Sequence, residues 1–208
     1  MLDSEDAVAA RRAETERAIR ERVERQDHEG AATLAIQEYG PELHAFLCAL
    51  ARDSERADDA FSDMAERLWR ALPTFRWEAS IRTWAYQLAR NALYRARRDP
   101  RARPERNLPL SIITSMAAMP RTQTAPFQRS EVRAEIRTMI EALAPEDHEI
   151  MILRLDRRMA WKDIARAISE DDVPASALDQ RAASCRKRYE RIKSQLRITA
   201  AERGLLGD

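Results

Sequence analysis

Hydrophobic residues recur at intervals of three and four positions through most of this chain of 208 residues, and runs of β-branched residues are absent. This spacing places apolar side chains on one face of a helix. In the first half it predicts helices over residues 5–26, 29–52, 54–72 and 80–98. Ser54 and Ser80 are suited to cap the third and fourth of these helices, and Pro73 ends the third.

The same spacing continues from residue 130 towards the C-terminus. It predicts a helix beginning near Ser130, a second opened by Pro145, and a short third over residues 161–169. The last predicted helix starts near Ala177 and is capped by Ser176, which forms a capping-box pattern with Asp179. Its apolar residues form one stripe, which we expect to be buried: Leu178, Ala182, Cys185, Tyr189, Ile192 and Leu196.

Residues 99–130 separate these two sets of helices and contain five of the nine prolines of the chain. Because proline removes a backbone donor and disfavours helix at the preceding residue, this segment is predicted to be a linker. Within it, residues 110–119 are apolar enough to dock on a folded part. We therefore expect an all-α protein of two small helical domains joined by a proline-rich linker, the second being a helix-turn-helix domain. The predicted segments are 1–28, 29–98, 99–130, 131–198 and 199–208.

Glycine usage argues against the common nucleotide-binding enzymes. The chain has four glycines, none between residues 41 and 203, whereas phosphate-binding loops need clustered glycines. No nucleophile–base set is visible, so we expect neither enzymatic activity nor a cofactor. His44 and Cys48 have a spacing that can bind zinc, but too few further ligands accompany them, and core packing is the preferred interpretation.

The sequence also lacks the marks of secretion and membrane insertion. The N-terminus has no apolar segment of signal-peptide length, and no apolar run approaches the roughly 18 residues that a membrane span needs. The two cysteines, Cys48 and Cys185, are far apart, which favours a reducing compartment. We expect a cytoplasmic protein without membrane insertion.

Charge is strongly segregated although the formal net charge is only +1. Residues 53–66 contain six acidic residues and one arginine. Residues 76–106 contain nine arginines and three acidic residues, and residues 179–197 contain seven basic and two acidic residues. Two basic segments suit a polyanion, and an acidic one suits a different, basic partner.

Residues 75–98 contain five of the twelve aromatic residues of the chain, together with six arginines. The helical pattern predicts a core face of Ile81, Trp84, Leu88 and Ala92. It predicts a second, accessible face of Arg82, Tyr86, Arg90, Tyr94 and Arg97, with Thr83, Gln87 and Asn91 beside it. Aromatic and cationic side chains together are typical of single-stranded nucleic-acid binding. The preceding loop, with an aromatic, a carboxylate and a hydroxyl, could hold a base drawn out of a duplex.

A short helix, a turn and a capped helix with a basic outer face follow the helix-turn-helix plan. In that plan the second helix enters the major groove of DNA. Arginine and lysine there can contact phosphates or guanine edges, and serine can contact either. The outer residues of the last predicted helix have this composition: Arg181, Ser184, Lys187, Arg188 and Arg191.

Two blocks of the sequence resemble the bacterial RNA polymerase sigma factors. Region 2 of that family is similar to DDAFSDMAERLWRALPTFRWEASIRTWAYQLARNALYRARR, residues 58–98. Region 4 is similar to LAPEDHEIMILRLDRRMAWKDIARAI, residues 143–168, followed by LDQRAASCRKRYERI, residues 178–192. The two blocks occur in this order with a linker and no third domain between them, as in the extracytoplasmic-function group.

The resemblance implies that the partners are core RNA polymerase and promoter DNA, both duplex and single-stranded. Binding to the clamp helices of the largest polymerase subunit falls on Asp58, Asp59, Asp63, Glu66, Arg67 and Trp69. Recognition and melting of the minus-ten element falls on Phe75, Trp77, Glu78, Ser80, Arg82, Thr83, Trp84, Tyr86, Gln87, Arg90, Asn91, Arg97 and Arg98. Recognition of the minus-thirty-five element falls on Ser176, Arg181, Ser184, Arg186, Lys187, Arg188 and Arg191. The apolar side of region 4 would meet the polymerase β-flap, and an anti-sigma protein is a further candidate partner.

Three features depart from the family pattern. The segment EDDVPAS, residues 170–176, lengthens the turn before the last helix, and Arg95 stands where many relatives have Asp. Residues 1–28 have no counterpart in a minimal member. Two other functions stay open: an autonomous helix-turn-helix regulator, which would bind promoters without polymerase, and a helical decoy, which would bind polymerase without DNA.

Overall fold

The computed structural model of the chain describes residues 2–98, 108–119, 131–170 and 173–205. Within these ranges the only regular secondary structure is helix, and the predicted all-α class is confirmed. The chain divides into two compact units, Met1–Gln123 and Thr124–Asp208. None of the helices described in them is both long and apolar enough to span a membrane.

Four of the helices of the first unit agree with the predicted ones to within a few residues. The described helices are α1 (Leu2–Glu24), α2 (His28–Ala51), α3 (Ser54–Ala71), α4 (Ile81–Arg98) and α5 (Leu110–Ala118). A 3-10 turn at Leu72–Thr74 follows α3. Pro73 lies in that turn and ends α3 as predicted, because it cannot donate the next backbone hydrogen bond.

The core of the first unit lies between α2, α3 and α4, which pack against one another. Each contributes large side chains that are fully buried, such as Phe46, Leu68 and Leu93. α1 packs on α2, and its Ile19 is fully buried although most of the helix is charged. The N-terminal segment is therefore a peripheral helix fixed to the core of the unit.

Side-chain acceptors determine where α3 and α4 begin. Asp53 accepts hydrogen bonds from two backbone amides of the first turn of α3, at 3.0 and 3.2 Å. The prediction that Ser54 caps α3 is wrong, because Asp53 has the extended backbone that a capping residue needs. Ser80 does cap α4, since its Oγ accepts a hydrogen bond from the Thr83 amide at 3.0 Å.

α5 lies inside the predicted linker and packs on α2. Its Ile112 is fully buried, and two of its serine hydroxyls hydrogen-bond to α2 side chains. Gly40 permits the close approach, because a Cβ there would lie 2.3 Å from Sδ of Met119. The docking expected for this apolar segment is confirmed. The rest of the predicted linker, residues 99–107 and 120–130, lies outside the described residues.

The described helices of the second unit are α6 (Glu131–Glu141), α7 (Pro145–Met151), α8 (Trp161–Ala167) and α9 (Ala175–Glu202). Pro145 opens α7 as predicted, and a π-helical turn, Ile152–Asp156, continues it. α7 and α8 each pack on α9. The predicted stripe of α9 is buried from Leu178 to Ile192, whereas Leu196 is half-buried.

The start of α9 differs from the prediction. The helix begins at Ala175, ahead of the predicted start near Ala177, and no side chain caps its first turn. The capping-box prediction is wrong because Ser176 is the second residue of the helix and not the residue before it. Asp179 forms an ion pair with Lys162 of α8 at 2.7 Å. α9 also continues to Glu202, into the segment predicted as a tail.

Candidate nucleic-acid interface

Phe75, Trp77 and Trp84 form an aromatic cluster where the chain enters α4. The rings of Phe75 and Trp84 are stacked, with centroids 4.5 Å apart and 24° between their planes. The rings of Phe75 and Trp77 meet edge to face at 5.1 Å. All three residues are half-buried, so part of each ring system reaches solvent. Such rings can stack on unpaired bases.

Trp77 has an unusual backbone conformation, with φ at 59°. A left-handed backbone costs a residue with a Cβ about 1–2 kcal/mol. Strained backbones of this kind concentrate at functional sites, where the surrounding structure holds them. Here the Arg20 guanidinium of α1 lies 5.3 Å from the Trp77 ring centroid.

The face of α4 predicted to meet nucleic acid is largely buried. Four of the predicted minus-ten residues are no more than 8% exposed: Arg82, Thr83, Tyr86 and Arg90. The exposure predicted for this face is therefore wrong. The physical reason is a carboxylate on another helix, because Arg82 donates to Glu42 of α2 through Nε at 2.5 Å and through Nη2 at 2.9 Å.

The Arg82–Glu42 ion pair ties α4 to α2. Burial alone would lower the pKa of Arg82, but the hydrogen bonds and charge of Glu42 raise it above its ordinary value. Tyr86 packs beside this pair, with its ring edge to face with Phe46 at 5.1 Å. These side chains hold α4 in place.

The accessible side of α4 carries a different row of residues. Trp84, Gln87, Leu88 and Asn91 are half-buried and follow one another at helical spacing. The prediction that Trp84 and Leu88 belong to the core is therefore wrong, while Ile81 and Ala92 are buried as predicted. At the end of α4, Arg97 and Arg98 are exposed, and Arg97 donates to the Leu50 carbonyl at 2.6 Å.

The polar residues of the loop have distinct settings. Glu78 is exposed, with Oε1 at 3.3 Å from Nε of Arg76. Ser80, besides capping α4, donates its hydroxyl to Oγ1 of Thr83 at 2.9 Å. Glu78 is thus accessible to a ligand, whereas the Ser80 hydroxyl is engaged in the first turn of α4.

The six residues expected to bind core polymerase all lie on α3, but they differ in accessibility. Asp63 accepts hydrogen bonds from Arg67 at 2.9 Å and from Arg95 of α4 at 3.0 Å. Glu66 is only 6% exposed and pairs with Arg70 at 2.7 Å. The outer α3 surface consists of the remaining accessible residues, Asp58, Asp59, Arg67 and Trp69. Arg95 supplies an ion pair between α3 and α4.

His44 lies beside Asp58, with Nε2 at 2.7 Å from Oδ1, and Cys48 Sγ lies 3.7 Å from His44 Nδ1. Burial, and then the charge of Asp58, raise the pKa of the Cys48 thiol. A pocket of about 160 Å³ opens here between α2, α3 and Met116 and Met119 at α5. Over the described ranges, no group of three or more His, Cys, Asp or Glu side chains is arranged to hold a metal ion.

The basic side of α9 lies in the second unit. Most of the predicted minus-thirty-five residues are exposed there: Ser176, Arg181, Ser184, Arg186, Lys187 and Arg191. Arg188 instead turns towards α7, where it bonds to Asp147 and, at 2.7 Å, to Glu146. Burial alone would lower the pKa of Arg188, but the hydrogen bonds to these carboxylates raise it. Its predicted outward position is therefore wrong.

Residues 35–103 match the family model of Sigma-70 region 2. This range includes most of α2, the outer α3 surface, the aromatic cluster and α4. The first unit contains a Sigma-70 region 2 domain.

Curated relatives extend the likeness beyond the region 2 domain. The chain is 26% identical over 182 residues to the ECF RNA polymerase sigma factor SigG of Mycobacterium tuberculosis, in strains CDC 1551 / Oshkosh and ATCC 25618 / H37Rv. The alignment covers 76% of this chain and 48% of the relative, so the chain spans about half the length of the curated relatives it matches. Together with the region 2 match, this confirms the resemblance to extracytoplasmic-function sigma factors.

Two carboxylates that no local sequence pattern indicated hold α4 in place. Glu42 accepts hydrogen bonds from the Arg82 guanidinium, and Glu16 of α1 accepts hydrogen bonds from the Ile81 and Arg82 amides. Neither forms a local motif, because their partners lie at least 40 residues away in sequence. The available signal was indirect: a helix start with one capping serine needs further acceptors for its amides.

Proposed function

We propose that this protein is a sigma factor that binds core RNA polymerase, directs it to specific promoters and helps to open the DNA. The half-exposed aromatic cluster inside the region 2 domain carries this proposal. Unpaired bases are held by stacking on aromatic side chains. A base drawn out of the duplex also needs such a place to offset the lost pairing and stacking.

The contacts proposed for the minus-ten element are the aromatic cluster and the accessible side of α4. Glu78, Gln87, Asn91, Arg97 and Arg98 accompany the cluster there, and all five reach solvent. Exposed arginines can follow the phosphates, and amides can bond to base edges. The buried arginines and tyrosine of α4 support this surface from within, and we do not assign them contacts with DNA.

The outer α3 surface is the site proposed for the clamp helices of the polymerase. Its two aspartates give it negative charge, and Trp69 offers an aromatic anchor of the kind that dominates protein interfaces. Asp63 and Glu66 are not proposed to contact the polymerase, because their carboxylates pair with arginines of the same unit. Asp63 and Glu66 thus shape this surface from within.

The helix-turn-helix of the second unit is proposed to bind the minus-thirty-five element. Arg186, Lys187 and Arg191 lie exposed on α9 and suit phosphates and guanine edges. The apolar side of this unit is proposed to meet the β-flap. No covalent step is needed, since binding energy from two modules offsets the unpairing of a few base pairs.

Transcription in vitro tests the proposal directly. The purified protein is combined with core RNA polymerase and fragmented genomic DNA, and the RNA 5′ ends are mapped. We expect discrete starts preceded by a shared two-part motif. Absence of both starts and a stable polymerase complex would instead indicate an autonomous helix-turn-helix regulator. Absence of starts despite a tight complex would indicate a decoy.

The role of the aromatic cluster is tested by substitution at Trp77. Trp77→Ala should reduce promoter opening about 5- to 150-fold, because stacking is worth about 1–3 kcal/mol per base. Trp77→Phe keeps a stacking ring and is the matched control. Binding to core polymerase should be equal in both variants. Normal opening by Trp77→Ala would show that the cluster does not hold bases.

A further inference from the structure

A carboxylate of α1 binds the first backbone amides of α4. Glu16 Oε2 accepts a hydrogen bond from the Ile81 amide at 2.8 Å, and Oε1 accepts one from the Arg82 amide at 3.0 Å. The Ser80 hydroxyl accepts a third hydrogen bond, from the Thr83 amide. The first amides of a helix have no partner inside the helix. Two of these three therefore depend on a residue 65 or more positions earlier in the chain.

The Glu16 carboxylate is itself fixed in this position. Tyr39 of α2, only 4% exposed, donates its hydroxyl to Oε1 at 3.0 Å. Burial, and then the charge of Glu16, raise the pKa of Tyr39 far above its ordinary value, so its hydroxyl remains a donor. A negative charge is also favoured at the N-terminus of a helix by the helix dipole. α1, α2 and α4 thus meet at one carboxylate.

Arg20, one turn further along α1, contacts the loop that precedes α4. Its guanidinium lies 5.3 Å from the centroid of Trp77, a cation–π contact. Trp77 is the loop residue with the strained backbone, at φ 59°. α1 therefore touches the loop at its strained residue and also at its junction with α4.

We propose that Glu16, assisted by Arg20, is a positioning residue for promoter opening. The proposal rests on the sigma-factor function proposed above. Glu16 and Arg20 hold the aromatic loop and the first turn of α4 in one conformation before DNA arrives. Binding energy then is not spent on ordering the loop. Through Glu16 and Arg20, α1 becomes part of the machinery for opening.

The experiment compares Glu16→Ala, Glu16→Gln and Glu14→Ala in the full chain with core polymerase on a mapped promoter. Permanganate reactivity of unpaired thymines measures opening. Glu16→Ala should form about tenfold fewer open complexes, as the loss of a cap implies, with unchanged polymerase affinity. Glu16→Gln should be intermediate, because its amide oxygen still accepts. Glu14 is exposed on the same helix, and its variant should match the wild type.

Two further measurements separate positioning from mere folding. On a template with a pre-melted bubble, Glu16→Ala should regain wild-type transcription. In the protein alone, hydrogen exchange of the Ile81 and Arg82 amides should be faster in Glu16→Ala. Unchanged opening, or a loss that the bubble template does not restore, would overturn the proposal.

If the protein is not a sigma factor, the experiments give a different set of results. The wild-type protein would then open no promoter, while the exchange measurement would still report on Glu16. Unchanged exchange in Glu16→Ala would overturn the positioning role by itself.

Discussion

Replacing Glu42 by methionine should strongly destabilise the first unit. The change removes the acceptor of two hydrogen bonds from Arg82, whose side chain is only 9% exposed. Removing one partner of a buried ion pair costs about 3–5 kcal/mol. Arg82→Met should cost less, about 1–3 kcal/mol. The difference arises because Glu42 keeps 20% exposure and has Arg12 at 3.9 Å.

Amide hydrogen exchange in α2 and α4 is the suitable assay, because it reports on the first unit alone in a chain of two units. The double variant Glu42→Met/Arg82→Met should be more stable than Glu42→Met alone, since the buried arginine that lost its carboxylate partner is removed as well. Glu38→Met breaks an ion pair with Arg11, whose side chain is 74% exposed, and is the control. It should change stability by less than about 1 kcal/mol.

Two results would refute this reasoning. Equal effects of Glu42→Met and Glu38→Met on exchange would show that the buried pair is no more sensitive than a surface pair. A loss of promoter opening in Arg82→Met without any change in exchange would show that Arg82 contacts DNA. The interpretation made from the sequence alone would then be correct for that residue.

Two further predictions concern the α3 cap and the basic side of α9. Asp53→Ala should destabilise α3 by about 1 kcal/mol, measured by amide exchange, whereas Ser54→Ala should have little effect, and the reverse order would contradict the observed cap. Lys187→Ala should weaken duplex binding and reduce its salt dependence by about one counterion, measured by titration at several salt concentrations. Arg188→Ala should change that slope less, because Arg188 is neutralised by Glu146 and Asp147; equal slopes would count against this assignment.

The sequence predicted the helices and the buried side of α9 well, because these depend on local spacing. The stripe from Leu178 to Ile192 recurs at a regular helical period and contains large apolar residues. A helix with such a stripe can bury it in only one orientation. The same reasoning located the helix stop at Pro73, which follows from the chemistry of a single residue.

The faces of α4 could not be predicted in this way. The helix buries alanines at positions 85 and 89, which carry little weight in a hydrophobic pattern, and it exposes part of Trp84, which carries much. The burial of Arg82 depends on Glu42, and two of the first amides of α4 bond to Glu16; both carboxylates are distant in sequence. Local pattern cannot reveal such partners, since they are adjacent only after folding.

The Arg82–Glu42 pair also bears on how α2 and α4 find their alignment. Both helices bury alanines, among them Ala32, Ala35 and Ala89. Small side chains specify the alignment of two helices only weakly, and the edge-to-face contact of Phe46 with Tyr86 adds to it. A charged pair adds a stricter condition, because a shift of one turn, about 5.4 Å, would separate the Glu42 carboxylate from Arg82, whose side chain is only 9% exposed. We therefore expect the pair to favour a single register between the two helices. This register also determines the position of the aromatic cluster along α2.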